Sequence, residues 1–572
     1  MAEGRRKHRP GWPPVILPLL AVISFAAPGA DQVWRVHTDD PRQIAWLKDH
    51  FDVWTRERTS GAWLVRIDEQ DIAQLDALHI PYTVDIALSA GLDRPFELTG
   101  LAGEGVDFIA GFPCYRTVPK THTDLAALAA AHPDLAEWRD IGDSWRKIDG
   151  TGGFDLFALV LANRLNGRPK SPFVIIAAMH AREYATAELA ARFAERLIDG
   201  YGTDPDITWL LDFIEIHIIA QLNPDGRVLA EQNATRFKRK NDDADFCPAD
   251  TVDRGIDLNR NSSVLWGGGS TAACNETFRG PAAGSEPETQ AIEAYLSGVL
   301  TDQRPGPPDD LGSAAPATTE GLFISLHSFG ELVLFPWEQT PINSANHAAL
   351  RTLGRKLAFF NGYRACQDCL GTASGTTVDF AYGEFGVAAY TFEIGNNFFE
   401  SCQTFEQTVL PDNLEALLFA AKAARRPYLE PAAPEVIDLA VTPSAVPSDG
   451  TLTVTAVIDD TRRRSTSDDP SEPPDTANDV TGALLSVALP GFAGGMEIPF
   501  TAADGAFDSP VEAVVAILDG ALLPPGRSLV FATGSDNDGS GVASAVFVDS
   551  EELIFGDGFE SSGSPREIEH AR

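Results

Sequence analysis

The stretch Phe173-Val-Ile-Ile-Ala-Ala-Met-His180-Ala-Arg-Glu183-Tyr is the part of this chain from which its fold is most directly predicted. Residues 173–179 are apolar without polar alternation, which is typical of a central strand covered on both faces. In open α/β sheets, ligands bind at the carboxyl ends of the strands, and His180 and Glu183 fall at such an end. An imidazole and a carboxylate at this spacing are able to share one Zn²⁺, which then needs a third protein ligand. A surface turn explains the same short pattern equally well.

Two later strands end in side chains of the same kind. Residues 322–327 are apolar and end in a histidine, which supplies the missing metal ligand. Residues 388–394 carry Glu393 near their end, and a buried carboxylate beside a metal is able to take a proton from water. Between these strands lie two basic clusters, at residues 236–240 and 255–261. Because guanidinium binds carboxylate in a bidentate fork, they suit a carboxylate-bearing substrate; surface ion pairs are the alternative.

Long helices alternate with buried strands from Tyr115 onward, which predicts an α/β sandwich on a mixed sheet. We predict a helix at 187–197, with Thr186 as its N-cap, and a capping box at Ser285-Glu-Pro-Glu288 that opens a helix through residue 300. The other predicted elements are helices at 125–138 and 346–361 and strands at 156–161, 213–222, 322–327 and 388–394.

Residues 31–105 have the order strand, helix, strand, strand, helix, strand, which is typical of a ferredoxin-like α+β unit. Because this unit follows an export signal and precedes an enzyme-like domain, we interpret it as a pro-segment, with an accessory domain as the alternative. The glycine-rich stretch 89–111 is then the linker in which processing occurs.

The two ends of the chain carry further signals. Residues 1–30 combine a basic start, an apolar run and small residues, the pattern of a secretory signal peptide rather than a membrane span. No later segment is long and apolar enough to cross a bilayer. Residues 431–550 alternate in short segments between Pro, Gly and Asp turns, which predicts an immunoglobulin-like β-sandwich. The tail 551–572 has no assigned role; attachment to a cell surface through this C-terminal region is one interpretation.

Composition narrows the functional classes. The chain has 572 residues, 44% of them hydrophobic, which suffices for two or three domains. Its net charge of −38 makes nucleic acid an unsuitable partner. Six cysteines in an exported chain favour disulfides over a metal cluster, although six allow fifteen pairings. Cys366 and Cys369 fit a redox motif by spacing, but without a thioredoxin-like βαβ context structural pairing is favoured.

These features together resemble the zinc metallocarboxypeptidases of the pancreatic carboxypeptidase A/B type. The resemblance spans about residues 114–427 in unbroken order, and its motifs are HARE, NPDG at 223–226, RxxRK, DxNRN, SLHS, TASG and TFE. It implies a mixed-sheet α/β/α domain over residues 106–430 and one Zn²⁺ per chain. The implied reaction is hydrolysis of the C-terminal peptide bond of peptides or proteins that have a free C-terminus.

The resemblance also implies roles for the residues at the metal. His180, Glu183 and His327 become the zinc ligands. Asp257 becomes an acceptor that orients His180. Glu393 becomes the general base.

Substrate contacts are implied in the same way. Arg239 polarises the scissile carbonyl and stabilises the oxyanion. Asn259 and Arg260 hold the C-terminal carboxylate of the substrate. Arg182 and Arg236 line outer subsites.

The specificity pocket is where this chain departs from its relatives. Val378 falls at the pocket floor, where basic-specific relatives carry an acid, so an apolar C-terminal residue is the implied preference. Gly371 stands where most relatives carry a mobile tyrosine that caps the substrate, so we expect activity with a weaker hold on the substrate. The resemblance also implies a Cys247–Cys274 disulfide and leaves the other four cysteines without a unique pairing.

We therefore predict a secreted zinc-dependent carboxypeptidase that is released from an inhibitory pro-segment. Two alternatives remain: a related zinc amidase or cell-wall peptide hydrolase, and an inert peptidase fold that acts as a surface-binding protein. The intact Asn259-Arg260 pair argues against the first alternative. Retention of Glu393 with the metal ligands argues against the second.

Overall fold

The computed structural model describes residues 31–92, 107–463 and 475–551. The predicted signal peptide, most of the predicted processing linker and the tail after residue 551 lie outside these residues. Within the described ranges, no helix combines the length and the apolar character needed to span a bilayer.

The N-terminal unit is a small antiparallel sheet with helices packed on it. Its elements are β1 (Asp31–Val36), α1 (Pro41–His50), β2 (Asp52–Arg56), β3 (Trp63–Asp68), α2 (Ile72–Ala77), β4 (Tyr82–Val84) and α3 (Ile86–Leu92). The strands pair in the order β2-β3-β1-β4. The Asp40 side chain caps α1 by accepting from the Arg42 N–H over 2.9 Å, and Pro41 occupies the first turn. The ferredoxin-like and pro-segment interpretations of this unit stay predictions.

The central domain has an eight-stranded mixed sheet with helices on its faces. Its elements are β5 (Phe108–Ile109), β6 (Phe112–Arg116), α4 (Val118–Ala131), β7 (Ala136–Asp143), α5 (Trp145–Ile148), β8 (Asp155–Leu161), β9 (Ser171–Ile176), α6 (Tyr184–Gly200), α7 (Pro205–Phe213), β10 (Ile214–Ile219), α8 (Pro224–Ala230), α9 (Pro287–Val299), β11 (Leu322–His327), β12 (Leu332–Leu334), α10 (His347–Asn361), β13 (Arg364–Cys366), α11 (Thr377–Phe385), β14 (Ala388–Glu393), α12 (Cys402–Thr404) and α13 (Leu410–Ala423).

The strand order of the large sheet decides where the functional side chains meet. The order is β13-β12-β14-β11-β9-β10-β8-β7, and the central strands β14, β11, β9 and β10 run parallel to one another. Their residues are almost entirely buried, as expected for strands covered on both faces. Strands β7 and β8 pair antiparallel to their neighbours, and β12 pairs antiparallel to β14, so the sheet is mixed as predicted.

Two predictions about helix ends are wrong. The helix α4 ends before Pro133, which cannot continue a helix, so Trp138 lies on β7 and not in the helix. The predicted capping box does not form at α9. Glu288 accepts from the Trp145 N–H over 2.8 Å, and it does not reach back to Ser285.

The C-terminal domain consists of two β-sheets around an apolar core. Its strands are β15 (Glu435–Thr442), β16 (Ala445–Pro447), β17 (Thr451–Asp459), β18 (Gly482–Val487), β19 (Met496–Pro499), β20 (Thr501–Ala502), β21 (Val511–Asp519), β22 (Gly526–Asp536), β23 (Gly539–Ser540) and β24 (Ser544–Glu551). The sheet orders are β15-β17-β21-β20 and β16-β24-β22-β18-β19. The immunoglobulin-like assignment stays a prediction.

Candidate active site

Three adjacent parallel strands bring the predicted metal-binding side chains to one edge of the sheet. Strands β14, β11 and β9 are neighbours, and His327 and Glu393 are paired in register at the ends of β11 and β14. His180 and Glu183 follow the end of β9 and lead into α6. Because the carboxyl ends of parallel strands meet at one edge, residues far apart in sequence converge here.

The three predicted ligands point their donor atoms at one another. Ligand atoms of His180, Glu183 and His327 lie within 4.8 Å of one another, and all three residues are buried. His180 Nδ1 lies 2.7 Å from Glu183 Oε1 and 3.0 Å from His327 Nδ1. His327 Nδ1 lies 3.2 Å from Glu183 Oε2. Two imidazole nitrogens and a carboxylate that converge in a buried space form a donor set of the kind that Zn²⁺ takes, so the residues fit this ion.

The outer nitrogens of both histidines are occupied by oxygen partners. His180 Nε2 lies 3.1 Å from Asp257 Oδ1, and His327 Nε2 lies 2.9 Å from Ser325 Oγ. These contacts orient the rings and leave both Nδ1 atoms facing the centre. Sequence reasoning missed Ser325; the available signal was its position two residues before His327, on the same face of β11.

Two hydrogen bonds fix Glu183, one to its side chain from the loop after β11 and one to its backbone carbonyl from α6. Its Oε2 accepts from the Ser328 N–H over 3.1 Å. Thr186 is not the cap of α6 as predicted, because the helix begins at Tyr184. The Thr186 hydroxyl lies in the first turn and donates to the Glu183 carbonyl over 2.9 Å, which fixes the turn that carries the ligand.

The predicted general base lies beside the ligands. Glu393 is partly exposed and lines a cavity together with His180 and Glu183. Desolvation raises the pKa of Glu393 to about 8, against the lowering influence of His327. A carboxyl with a raised pKa is more basic than an exposed one and accepts a proton from water more readily.

Three of the predicted substrate-binding residues line the same cavity. Arg239, Asn259 and Arg260 all face it. Asp257 Oδ2 accepts from Nη2 and Nε of Arg239 at 3.0 and 3.2 Å, so one buried carboxylate positions both His180 and Arg239. This arrangement places fixed positive charge next to the metal-binding side chains.

The two predicted outer-subsite arginines contact the N-terminal unit. Arg182 is fully buried and donates through both terminal nitrogens to Asp52, at 2.8 and 2.7 Å. Arg236 donates to the carbonyl oxygens of Gly91 and Leu92 over 2.8 and 2.5 Å. In this structure the N-terminal unit therefore occupies the positions that substrate was predicted to take.

The N-terminal unit also fills the cleft in front of the metal-binding residues. The remaining cavity is about 90 Å³, so little free space is left in front of the metal-binding residues. Thr277 Oγ1 donates to the Lys48 carbonyl over 3.1 Å, and Asn275 Nδ2 donates to the Asp49 carbonyl over 3.1 Å. The cavity-lining side chains from this unit are Lys48, Asp52, Val53, Trp54, Thr55 and Trp63.

Gly371 lies directly against the N-terminal unit. A Cβ atom at this position would lie 3.1 Å from Ile44 Cγ2 and 3.3 Å from Lys48 Nζ. Lys48 Nζ also donates to the Thr372 carbonyl over 3.1 Å. The absence of a side chain at Gly371 thus leaves space that α1 uses.

Val378 is not among the residues that line the cavity in this structure, and its role at the pocket floor stays a prediction. Its side chain is 1% exposed and packs in the core beneath α11. Sequence reasoning missed Glu338, whose signal is an acidic residue directly after the apolar run 332–337. The wall that surrounds the remaining cavity is formed by Leu334, Glu338, Gln367, Leu370, Ala373 and Thr391.

All cysteines are paired. Disulfides join Cys247 to Cys274, Cys114 to Cys402 and Cys366 to Cys369. The last pair brackets Gln367 and precedes Leu370, so it constrains one wall of the cavity. The interpretation of these two cysteines as structural agrees with this pairing.

Comparison with known proteins gives consistent results. A model of the zinc carboxypeptidase family matches residues 121–414. Carboxypeptidase A1 of Sus scrofa is 26% identical over 396 residues, which cover 64% of this chain and 85% of that protein. A zinc carboxypeptidase of Saccharothrix mutabilis subsp. capreolus is 30% identical over 299 residues, which cover 50% of this chain and 63% of that protein.

Similar folds occur among solved structures. Carboxypeptidase A from Helicoverpa armigera gives a TM-score of 0.56 at 20% identity and covers 70% of this chain and 99% of that one. Thrombin activatable fibrinolysis inhibitor gives a TM-score of 0.52 at 21% identity and covers 69% of this chain and 98% of that one. At these identities the likeness establishes the mixed α/β fold.

Proposed function

This chain belongs to the zinc carboxypeptidase family and is a metallocarboxypeptidase, and we propose that His180, Glu183, His327 and Glu393 carry its reaction. The observation that carries this proposal is the convergence of the ligand atoms within 4.8 Å at strand ends, with Glu393 paired in register beside His327. The substrates are peptides or proteins with a free C-terminus, and the proposed product is the C-terminal residue.

The roles of the chain's own residues follow from their positions. Zn²⁺, when bound, supplies Lewis-acid chemistry and makes water more acidic. Glu393 accepts the proton of the attacking water and later passes it to the leaving amine. Arg239, held by Asp257, donates to the oxyanion that develops on the scissile carbonyl.

The free carboxylate of the substrate is the feature that would separate an exopeptidase from an endopeptidase. Arg260 and Asn259 line the cavity next to Arg239, where a carboxylate is able to accept charge-assisted hydrogen bonds. This pair is the reason to favour a peptide with a free C-terminus over a cell-wall amide.

We also propose that the N-terminal unit is an inhibitory pro-segment. The Asp52–Arg182 pair, the contacts of Arg236 with α3 and the filled cleft support this role. Cleavage between residues 93 and 106, with departure of the unit, would open the cleft. Arg182 and Arg236 would then become available to the outer part of the substrate.

Export is a further proposal. The predicted signal peptide at residues 1–30 and the paired cysteines support it, because disulfides persist in oxidising compartments. Attachment to a cell surface through the C-terminal region stays a prediction.

Two classes of C-terminal side chain are candidates for the pocket. The apolar class was predicted from Val378, and the cavity wall supports it through Leu334, Leu370 and Ala373 instead. The cationic class is supported by Glu338, which lies in the same wall.

The experiment that tests the function is time-resolved mass spectrometry of a peptide set. The full-length chain is folded, loaded with Zn²⁺ and cut by limited proteolysis between residues 93 and 106. We expect stepwise loss of C-terminal residues, abolished by a chelator and by Glu393→Gln. Internal cleavage, or no release by the folded and metal-loaded protein, would contradict the proposal.

A further inference from the structure

Glu338 is a buried carboxylate in the wall of the substrate cavity. Glu338 is 8% exposed, and its Oε1 accepts a hydrogen bond from the Thr391 hydroxyl over 2.7 Å. Its backbone N–H donates to Asp379 Oδ1 over 2.9 Å, and its carbonyl accepts from the Ala373 N–H over 2.8 Å. The two backbone contacts therefore fix the position of Glu338, and the Thr391 hydroxyl fixes the direction of its side chain.

The position of Glu338 relates it directly to the reacting centre. The hydrogen-bond partner of Glu338, Thr391, precedes Glu393 by two residues on β14. The side chains of Thr391 and Glu393 therefore lie on one face of the strand, about 7 Å apart along it. Arg260, the proposed carboxylate-binding residue, lines the same cavity. A C-terminal residue held by Arg260 would thus lie in the same cavity as Glu338.

Apart from Glu393, which likewise forms no ion pair with a described residue, the other carboxylates around the cavity have basic partners. Glu183 contacts both histidines, and Asp257 contacts Arg239. Among the residues that the structure describes, Glu338 takes part in no ion pair, and no hydrogen bond reaches its Oε2. A buried anion is stable only when a counter-charge or hydrogen bonds compensate it, so this site favours a cationic group of a bound substrate.

A cation of the chain itself already enters this cavity. Lys48 of the N-terminal unit lines it, and its Nζ donates to the Thr372 carbonyl. Burial, with a contribution from Arg260, lowers the pKa of Lys48 to about 7, while the charge of Glu338 opposes this lowering. The apolar wall of Leu334, Leu370 and Ala373 suits the aliphatic stem of such a side chain.

We propose that Glu338 is a specificity-determining residue that selects substrates with C-terminal lysine or arginine by pairing with the cationic end of that side chain. This inference rests on the proposed carboxypeptidase function. The residue that determines specificity then lies on the loop after β12, and not at Val378 on α11.

The test compares peptides that differ only in the last residue: lysine, arginine, leucine, or norleucine, which matches the lysine stem without its charge. The enzyme is the Zn²⁺-loaded chain cut between residues 93 and 106. We expect kcat/KM for the lysine peptide to exceed that for norleucine by about tenfold or more. Glu338→Gln keeps the shape and the Thr391 hydrogen bond, and it should remove most of this ratio through KM. Glu338→Asp should restore part of the ratio.

Glu415→Gln is the matched control, because it removes one carboxylate charge from an exposed position on α13. It should leave the lysine-to-norleucine ratio unchanged. Preference of the wild type for leucine or norleucine, or an unchanged ratio in Glu338→Gln, would overturn the proposal.

A second measurement covers the case in which Glu338→Gln does not fold. Free L-lysine should inhibit the wild-type enzyme about tenfold more strongly than free L-norleucine. Equal inhibition would overturn the proposal. A failure of the carboxypeptidase function itself would look different, because no peptide in the set would lose its last residue.

Discussion

The metal-binding edge and the pocket beside it are built in different ways. At the edge, the side chains that converge come from the ends of neighbouring parallel strands and contact one another, as His180 does with His327 at 3.0 Å. The pocket wall is assembled from loops, a disulfide-bracketed segment and side chains such as Glu338. The N-terminal unit fills most of the cleft between these loops. The comparison teaches that the sheet sets the chemistry, while the loops and the N-terminal unit set selectivity and access.

The largest expected effect follows from removing a ligand at the edge. His327→Ala leaves two protein ligands, so bound zinc should fall from about one per chain to near zero, and activity should fall to background. Ser325→Ala keeps all ligands and should weaken zinc binding only about ten- to hundredfold. Metal analysis after dialysis measures both. Full zinc retention by His327→Ala would contradict the assignment of the edge.

Removing the base should separate chemistry from metal binding. Glu393→Gln should lower kcat by about 10²- to 10⁴-fold, because no carboxylate remains to accept the proton of water. Zinc content should stay equal to that of the wild type. Single-turnover kinetics at matched zinc content check this prediction, and an active Glu393→Gln enzyme would require a different base.

A smaller effect is expected where the pocket meets the N-terminal unit. Gly371→Tyr should raise the activity of the uncut chain relative to the cut chain by about tenfold, because the new side chain would overlap Ile44 and Lys48. Gly362→Tyr is the control: its φ of 75° imposes similar backbone strain, but open space surrounds it. Activity of cut and uncut forms side by side gives the ratio. An unchanged ratio in Gly371→Tyr would show that α1 is not held there.

An effect of similar size is expected from pH, on which the binding of the N-terminal unit should depend. Glu276 is buried between Asn275 and Thr277, which both bond to the end of α1. Neither of its carboxylate oxygens has a hydrogen-bond partner among the described residues. Burial raises its pKa from 4.5 to about 7, and Asp52 of the N-terminal unit adds to the rise.

The sign of the pH effect follows from this raised pKa. The bound unit favours protonated Glu276, so its hold should be strongest in acid and should weaken as pH rises from about 4.5 to about 7. Arg182 and Lys240 oppose the rise in pKa, and Asp253 supports it. We expect the cut N-terminal unit to dissociate about tenfold more readily at pH 7 than at pH 5. Glu276→Gln should flatten this dependence, whereas a flat profile in the wild type would contradict it.

The metal-binding edge was predictable from sequence, since apolar strands that end in histidine or glutamate obey a simple rule for parallel sheets. Sequence gives the end of each strand directly, and the sheet order then places His180, His327 and Glu393 together. The second partner of Asp257, Arg239, was named only by resemblance, because two loops bring these residues together.

The pocket could not be predicted in this way. Glu338 enters the wall through a hydrogen bond to Thr391, and no local pattern encodes a contact across 53 residues. Lys48 contacts Thr372 across 324 residues. The sequence around Gly371 therefore could not show that α1 occupies the space beside this glycine. The role of Val378 was inferred from its position in the sequence alone, which does not fix the direction of a side chain on α11.

The comparison between edge and pocket is tested most directly by one set of kcat/KM values. Glu393→Gln and Glu338→Gln are each measured on the lysine and norleucine peptides with the cut, zinc-loaded chain. We predict that Glu393→Gln lowers both values by the same factor, whereas Glu338→Gln lowers only the value for lysine. Equal losses on both peptides in Glu338→Gln, or a selective loss in Glu393→Gln, would contradict the division between chemistry at the strand ends and selectivity in the loops.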